Sequence, residues 1–142
     1  MVEEISEVEK AYIAGFIDGE GYIGIHRNKG RWFEAELAIT NSNKEILLWI
    51  KDKLSISSSV RCIHKESNKP RYQLEIRGNQ AVSRLLRILL PYLRTKKEHA
   101  LLVIELAELK RQAMSGYKGK RKPINPERQE EIFRRIRELN AR

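Results

Sequence analysis

Apolar residues recur at helical spacing near the amino terminus. Val8, Ala11, Tyr12, Gly15 and Phe16 follow it, which predicts a helix from about Ser6 to Asp18. The period then falls to two. Tyr22 to Arg27 and Phe33 to Thr40 read as strands joined by the turn-forming run Asn28-Lys29-Gly30-Arg31. In the second strand Phe33, Ala35, Leu37 and Ile39 alternate with Glu34, Glu36, Ala38 and Thr40, so one face is expected to be buried and the other available. Asn41, Ser42 and Asn43 can cap a helix marked by Ile46, Leu47, Trp49, Ile50 and Leu54, which ends in the serine-rich turn Ser55 to Ser59. The strand pattern returns at Val60 to Lys65 and Arg71 to Arg77. A helix from about Asn79 to Leu90 follows and stops at Pro91. Helix Lys97 to Met114, the basic stretch Ser115 to Ile124 and a last helix opened by Asn125-Pro126 complete the chain; Ile132, Phe133, Ile136 and Leu139 form the last helix's apolar side.

The order αββαββα predicts an α+β fold: a four-stranded antiparallel sheet with helices on one face and a polar concavity on the other, followed by C-terminal helices. At 142 residues the whole chain, 1–142, is expected to form one domain, with a core over about 6–114 and a basic loop and C-terminal helix over 115–142.

Charge narrows the function. Lysine and arginine outnumber acids by 28 to 19, a net +9, as expected of a polyanion binder, and nucleic acid is the first candidate. A two-stranded ribbon fits the DNA major groove, so the sheet's polar face becomes the expected contact surface. His26, Asn28, Arg71, Gln73 and Arg77 can pair with base edges there, whereas Glu34, Glu36 and Glu75 either accept from cytosine or hold arginines in place. For the third strand two registers remain open: Arg61 and Lys65 face the DNA, or Cys62 and His64 do. Cationic chemistry favours Arg61. Lys118, Lys120, Arg121 and Lys122 are expected to grip backbone phosphate. Cys62 is the only cysteine and the histidines lack metal-ligand spacing, which excludes an internal disulfide and a cysteine-rich zinc site. No apolar run is long enough to span a bilayer, and the acidic amino terminus lacks a secretory segment. An intracellular setting is expected: the cytoplasm of a prokaryote, or an organelle if an organelle genome encodes the chain.

The sharpest chemistry lies in Ala11 to Gly21, AYIAGFIDGEG. Gly15 and Gly19 are four apart and share a helix face with almost no side chain. Each glycine costs a helix interior roughly 1 kcal/mol against alanine, so the pair points to another backbone packing very close, most naturally a second copy of the same helix. Glu20 follows at the end of that seam. Two-fold packing would bring two such carboxylates together, and paired carboxylates beside phosphates favour a divalent metal.

The run Ile13 to Gly21, in this element order, resembles the LAGLIDADG homing endonucleases over nearly the whole chain, including the IRELN segment near the carboxy terminus. The chain holds one copy of the motif. For the single-motif type the resemblance implies a homodimer on a long pseudo-palindromic double-stranded DNA site, with Ala14, Gly15, Asp18 and Gly19 at the subunit interface. It also implies hydrolysis of both strands across the minor groove, leaving 3′ overhangs, with Mg2+ or Mn2+ held at Glu20 and Gly19. Glu20 would be the catalytic acid and Asn43 the polar pocket residue, with Asn41 as a near alternative. The usual pocket lysine aligns with Glu98, so Lys96 and Lys97 become the basic candidates; a second basic position aligns with Leu47, leaving Lys44 as a substitute. In the third strand the resemblance favours His64. Lys29, Arg31 and Thr40 join the expected DNA contacts, and an intron-encoded origin is implied. The alternatives are an intron RNA maturase and a non-cleaving DNA-binding protein of the same fold.

Overall fold

The computed structural model describes residues 4–28, 32–64, 69–115 and 124–141, the side chains of Asn28, Met114 and Ser115 excepted. Helices α1 (Glu7–Glu20), α2 (Lys44–Lys53), α3 (Asn79–Leu89), α4 (Lys97–Ser115) and α5 (Pro126–Asn140) accompany strands β1 (Gly21–Asn28), β2 (Trp32–Asn41), β3 (Arg61–Cys62) and β4 (Tyr72–Arg77). The strands form one antiparallel sheet in the order β1-β2-β4-β3.

One face of the sheet is apolar and covered by helices. Ile23, Ile25, Phe33, Ala35, Leu37, Ile39, Leu74 and Ile76 meet Ile13, Ala14 and Ile17 of α1, with Leu47 and Ile50 of α2 and Val82, Leu85, Leu86 and Leu89 of α3 in the same core. Each fully buried Leu or Ile contributes about 2 kcal/mol relative to exposure. The carboxy-terminal helices enter the same core through Val103 and Leu106 of α4 and Ile132 and Ile136 of α5, and polar ties reinforce them. Arg128 forks onto Glu105 of α4 at 2.6 and 2.8 Å, and Arg27 of β1 reaches Glu130 of α5 while its guanidinium lies 5.3 and 4.9 Å from the ring centres of Phe33 and Phe133. The Asn140 side chain donates to the Ile23 carbonyl at 2.9 Å.

Three elements differ from those predicted. Helix α1 runs on through Gly19 and Glu20 rather than ending at Asp18, because the Gly21 N–H closes onto the Ile17 carbonyl. A Cβ at position 21 would lie 2.8 Å from that carbonyl oxygen, so the turn from helix to strand requires glycine. Strand β3, expected over Val60 to Lys65, is two residues long. The Ile63 N–H still reaches the Arg71 carbonyl at 2.8 Å, and since bonded and non-bonded pairs alternate, the next ladder bond falls at position 65, outside the described residues. A short 3-10 turn, Leu90–Tyr92, carries Pro91 in its first turn where no helix extension was foreseen.

His99 of α4 is 7% exposed, and Nδ1 has no partner. Since Asn140 donates through Nδ2, its Oδ1 accepts from His99 Nε2 at 3.0 Å, which leaves Nδ1 as the bare nitrogen of a neutral ring. Burial pushes the His99 pKa below its ordinary 6.5. The unfolded chain therefore binds this proton more readily than the folded one, and stability from the site is full above about pH 6.5 and declines as pH falls towards the lowered value. Melting temperature is expected to drop between pH 7.5 and 5.5 by more in the parent than in a His99→Gln variant. Equal drops would show that His99 titrates freely.

Candidate active site and nucleic-acid interface

The end of α1 is held in place by the segment between the 3-10 turn and α4. Both Asp18 carboxylate oxygens accept backbone N–H groups, from Arg94 at 2.9 Å and Lys96 at 3.0 Å. The Lys96 ammonium donates to the Asp18 carbonyl at 2.7 Å, and the Thr95 hydroxyl donates to it at 3.3 Å. A cation therefore caps the negative end of the α1 dipole, beside Glu20. Of the two basic candidates the structure brings Lys96 to this corner; Lys97 is exposed at the first position of α4 and takes no part in these bonds. Glu98, aligned with the usual lysine, instead pairs with Arg135 of α5 at 2.6 and 3.1 Å. Replacing Asp18 with alanine strands two amide donors and is expected to cost about 1–3 kcal/mol in denaturant unfolding. An unchanged midpoint would mean the clamp is dispensable.

One interface expectation needs correction. Ala14 is fully buried in the core, because α1 turns Ile13, Ala14 and Ile17 towards the sheet. Asp18 remains half-exposed, with its carboxylate bonded within its own chain. The outward face of α1 consists instead of Val8 (80% exposed), Ala11, Tyr12 (52%), Gly15 and Gly19. A Cβ added at Gly15 or Gly19 would meet nothing within 4 Å. Alongside lies an open apolar groove of about 430 Å3 lined by Val8, Glu9, Tyr12, Ile46 and Trp49, with Tyr12 edge-on to Trp49 at 5.6 Å.

Glu20 is exposed, with no ion pair or hydrogen bond to any described residue. The β1–β2 ladder sets Gly21 across from Ile39, so Glu20 lies near the end of β2, where Thr40 and Asn41 follow. The Asn41 carboxamide accepts from the Asn43 N–H at 2.8 Å, and Asn43 Oδ1 caps α2 by accepting from Ile46 at 3.1 Å. Asn43 is thus committed through its oxygen and keeps Nδ2 for other contacts. Lys44 lies with its ammonium 5.8 Å from the centre of the Tyr72 ring. Glu20 and the Gly19 carbonyl are hard oxygen donors of the kind Mg2+ or Mn2+ prefers, so the residues present fit such an ion. One chain brings too few of them. Among the described residues no three His, Cys, Asp or Glu side chains lie close enough to share an ion.

The sheet face turned away from the helices carries a continuous polar ladder. His26 of β1 contacts Glu36 of β2, whose carboxylate also lies 3.7 Å from Arg77 of β4. Arg77 bonds Glu75, and Arg61 of β3 reaches Gln73 at 2.9 Å and Glu75 at 3.5 Å. In the third strand Arg61 takes the polar face, across from Gln73, while Cys62 sits opposite Tyr72 towards the helices. His64 is exposed beyond the strand's end. Thr40 lies across from Gln73, Glu34 across from His26, and Arg71 is exposed just before β4. The acids therefore sit among the cations, holding them in place. Glu36 and Ala38, expected on the available face, are buried at 8% and 6%, covered by the side chains around them. Lys29, Arg31, Lys65, Lys118, Lys120, Arg121 and Lys122 lie outside the described residues.

Tyr22 was not foreseen as part of this surface. It is 42% exposed, and its ring lies over Gly24, where any Cβ would collide with it. Burial, and then the charge of Glu36, pushes its phenol pKa up. The signal was present in the chain: Tyr22 alternates with Ile23, and Gly24 is the one position on that face without a side chain to compete.

A helix bare at two glycines, ending in an unpaired acid beside a polar four-stranded sheet, defines a class that the comparisons identify. The family model for a LAGLIDADG-like domain matches residues 7–89, well over half the chain, and the protein belongs to this family. A search of curated proteins by sequence finds no match. Among solved structures, homing endonuclease I-CvuI in complex with the I-CreI target is 22% identical, with a TM-score of 0.61 over 92% of this chain and 95% of its own. The archaeal intron-encoded homing endonuclease I-Vdi141I, complexed with DNA, is 19% identical with a TM-score of 0.59 over 96% and 99%. I-SmaMI bound to an uncleaved DNA target gives 0.65 at 19% identity, over 93% of this chain and 47% of that one. The shared fold is that of the LAGLIDADG homing endonucleases. Among the described residues no helix is long and apolar enough to cross a membrane.

Proposed function

We propose that this protein is a homing endonuclease: a single domain over 1–142 that acts as a homodimer and cuts both strands of a long pseudo-palindromic DNA site across the minor groove, leaving 3′ overhangs. The observation that carries the reading is the free Glu20 carboxylate at the end of a helix whose outer face is bare at Gly15 and Gly19. Two copies packed through that face bring two such acids to the dyad, which supplies the donors one chain lacks. The DNA-bound states of I-CvuI and I-Vdi141I support duplex DNA as the partner, as does the chain's charge of +9.

In this reading the polar sheet face lies in the major groove, where Arg61, Gln73, Arg77 and Tyr22 face base edges. Lys118 to Lys122 add backbone phosphate contacts, which make affinity fall steeply with salt. Glu20 and the Gly19 carbonyl would hold Mg2+ or Mn2+. When bound, that ion supplies Lewis-acid stabilisation of the phosphate and of the leaving 3′ oxygen. The Lys96 ammonium, on the Asp18 carbonyl, places positive charge beside the same phosphate. Asn43, whose Oδ1 caps α2 beyond the end of β2, would order solvent through its remaining Nδ2.

The test is incubation with a plasmid carrying the uninterrupted host-gene junction, with Mg2+ or with EDTA. Metal-dependent linearisation is the expected result. Binding to intron RNA with no cutting would instead establish a maturase, and DNA binding with no cutting a regulator.

A further inference from the structure

Among the described residues Glu36 is the one acid that is buried, and it is buried on the sheet face that carries no helices. A carboxylate there repels a polyanion, so its presence calls for an account. Its surroundings supply one. The β1–β2–β4 ladder sets Glu36 between Gly24 and Arg77, and the carboxylate contacts His26 on one side and lies 3.7 Å from Arg77 on the other. Tyr22 lies over Gly24, the residue across from Glu36 in the ladder. The Glu36 side chain is 10% exposed, against 43% for His26 and 59% for Arg77. The acid is sunk below the surface while the imidazole and the guanidinium project from it.

We propose that Glu36 is a positioning residue for base recognition: it holds the His26 ring by direct contact and, with Glu75, which bonds Arg77, restrains the Arg77 fork from below, and it does not itself touch DNA. The inference rests on the sheet face reading DNA. An arginine fork discriminates bases only when its plane is aimed at them, and a long side chain free in solvent loses that aim to entropy. Removing the anchor's charge therefore acts on specificity and on general affinity in opposite directions.

The experiment is selection from a library of randomised duplexes, without Mg2+ so that nothing is cut, using the parent dimer and Glu36→Gln, Arg77→Ala and His26→Ala variants. Glu36→Gln is expected to lower base preference about tenfold at the positions that Arg77→Ala or His26→Ala also blur, and to leave the others sharp. Its affinity for random duplex is expected to rise, because one negative charge is gone. A Glu36→Gln profile identical to the parent's overturns the proposal. So does an even loss at every position, which marks a merely structural residue. Should Glu36→Gln fail to fold, Glu36→Asp carries the test, with partial blurring at the same positions expected and an unchanged profile overturning the proposal. If the parent enriches no sequence, the DNA-reading assignment itself falls and this inference with it; a parent that selects normally beside an unaltered Glu36→Gln overturns the positioning role alone.

Discussion

Glu20→Gln will abolish cleavage while DNA binding persists. Glutamine keeps the shape of the side chain but removes the charge, so a divalent ion loses its anionic ligand from each copy. Lewis-acid stabilisation contributes several kcal/mol to such a transition state, which at about 1.4 kcal/mol per decade corresponds to a loss on the order of a thousandfold or more. Binding has no reason to suffer. Glu20 is unpaired and exposed, so the variant strands no partner, and losing one negative charge does not weaken attraction to a polyanion. Cleavage of the cognate plasmid and gel-shift affinity should be measured together. Cutting at the parental rate would remove Glu20 from the chemistry; loss of both activities would show that it serves binding or folding.

Gly19→Leu separates assembly from folding because its two effects have opposite signs. Within one copy a Cβ at position 19 meets nothing within 4 Å, and leucine favours helix over glycine by up to about 1 kcal/mol. The isolated chain should therefore fold at least as well as the parent. Between two copies the same side chain forces the helix axes apart just where the bare seam lets backbones approach. Sedimentation should show monomers at concentrations where the parent is dimeric, with plasmid cleavage lost in parallel. A dimer of parental strength would mean that the subunits meet elsewhere, for instance through the groove beside Tyr12 and Trp49.

Much of the architecture was legible because its periods are clean. Strand β2 alternates apolar and acidic residues from Phe33 to Leu37, and the start of α2 follows from its cap candidates Asn41, Ser42 and Asn43, of which Asn43 makes the cap. Helix α5 begins at Asn125-Pro126 for the same kind of reason, with cap and first-turn residues in their preferred places. The inner face of α1 was harder to foresee. Its apolar residues run nearly all round: Ile13, Ala14 and Ile17 enter the core, while Val8, Ala11, Tyr12 and Gly15 remain outside. A hydrophobic period shows that a stripe exists but not which of two stripes meets the sheet. Ala14 was misplaced for that reason.

Local chemistry thus settled where the chain bends, which strands alternate, that the molecule carries excess positive charge and that an acid follows a glycine-lined helix. Those properties depend on neighbours a few positions apart. Long-range contact settled the rest: that Asp18 is spent on the amides of Arg94 and Lys96, that Lys96 rather than Lys97 reaches the end of α1, that Arg61 shares a face with Gln73, and that Glu36 lies beneath His26 and Arg77. Each of these joins residues distant along the chain or on different strands. Their partners are chosen by strand register and by the packing of α1 against the segment before α4, and neither leaves a trace in the spacing of nearby residues.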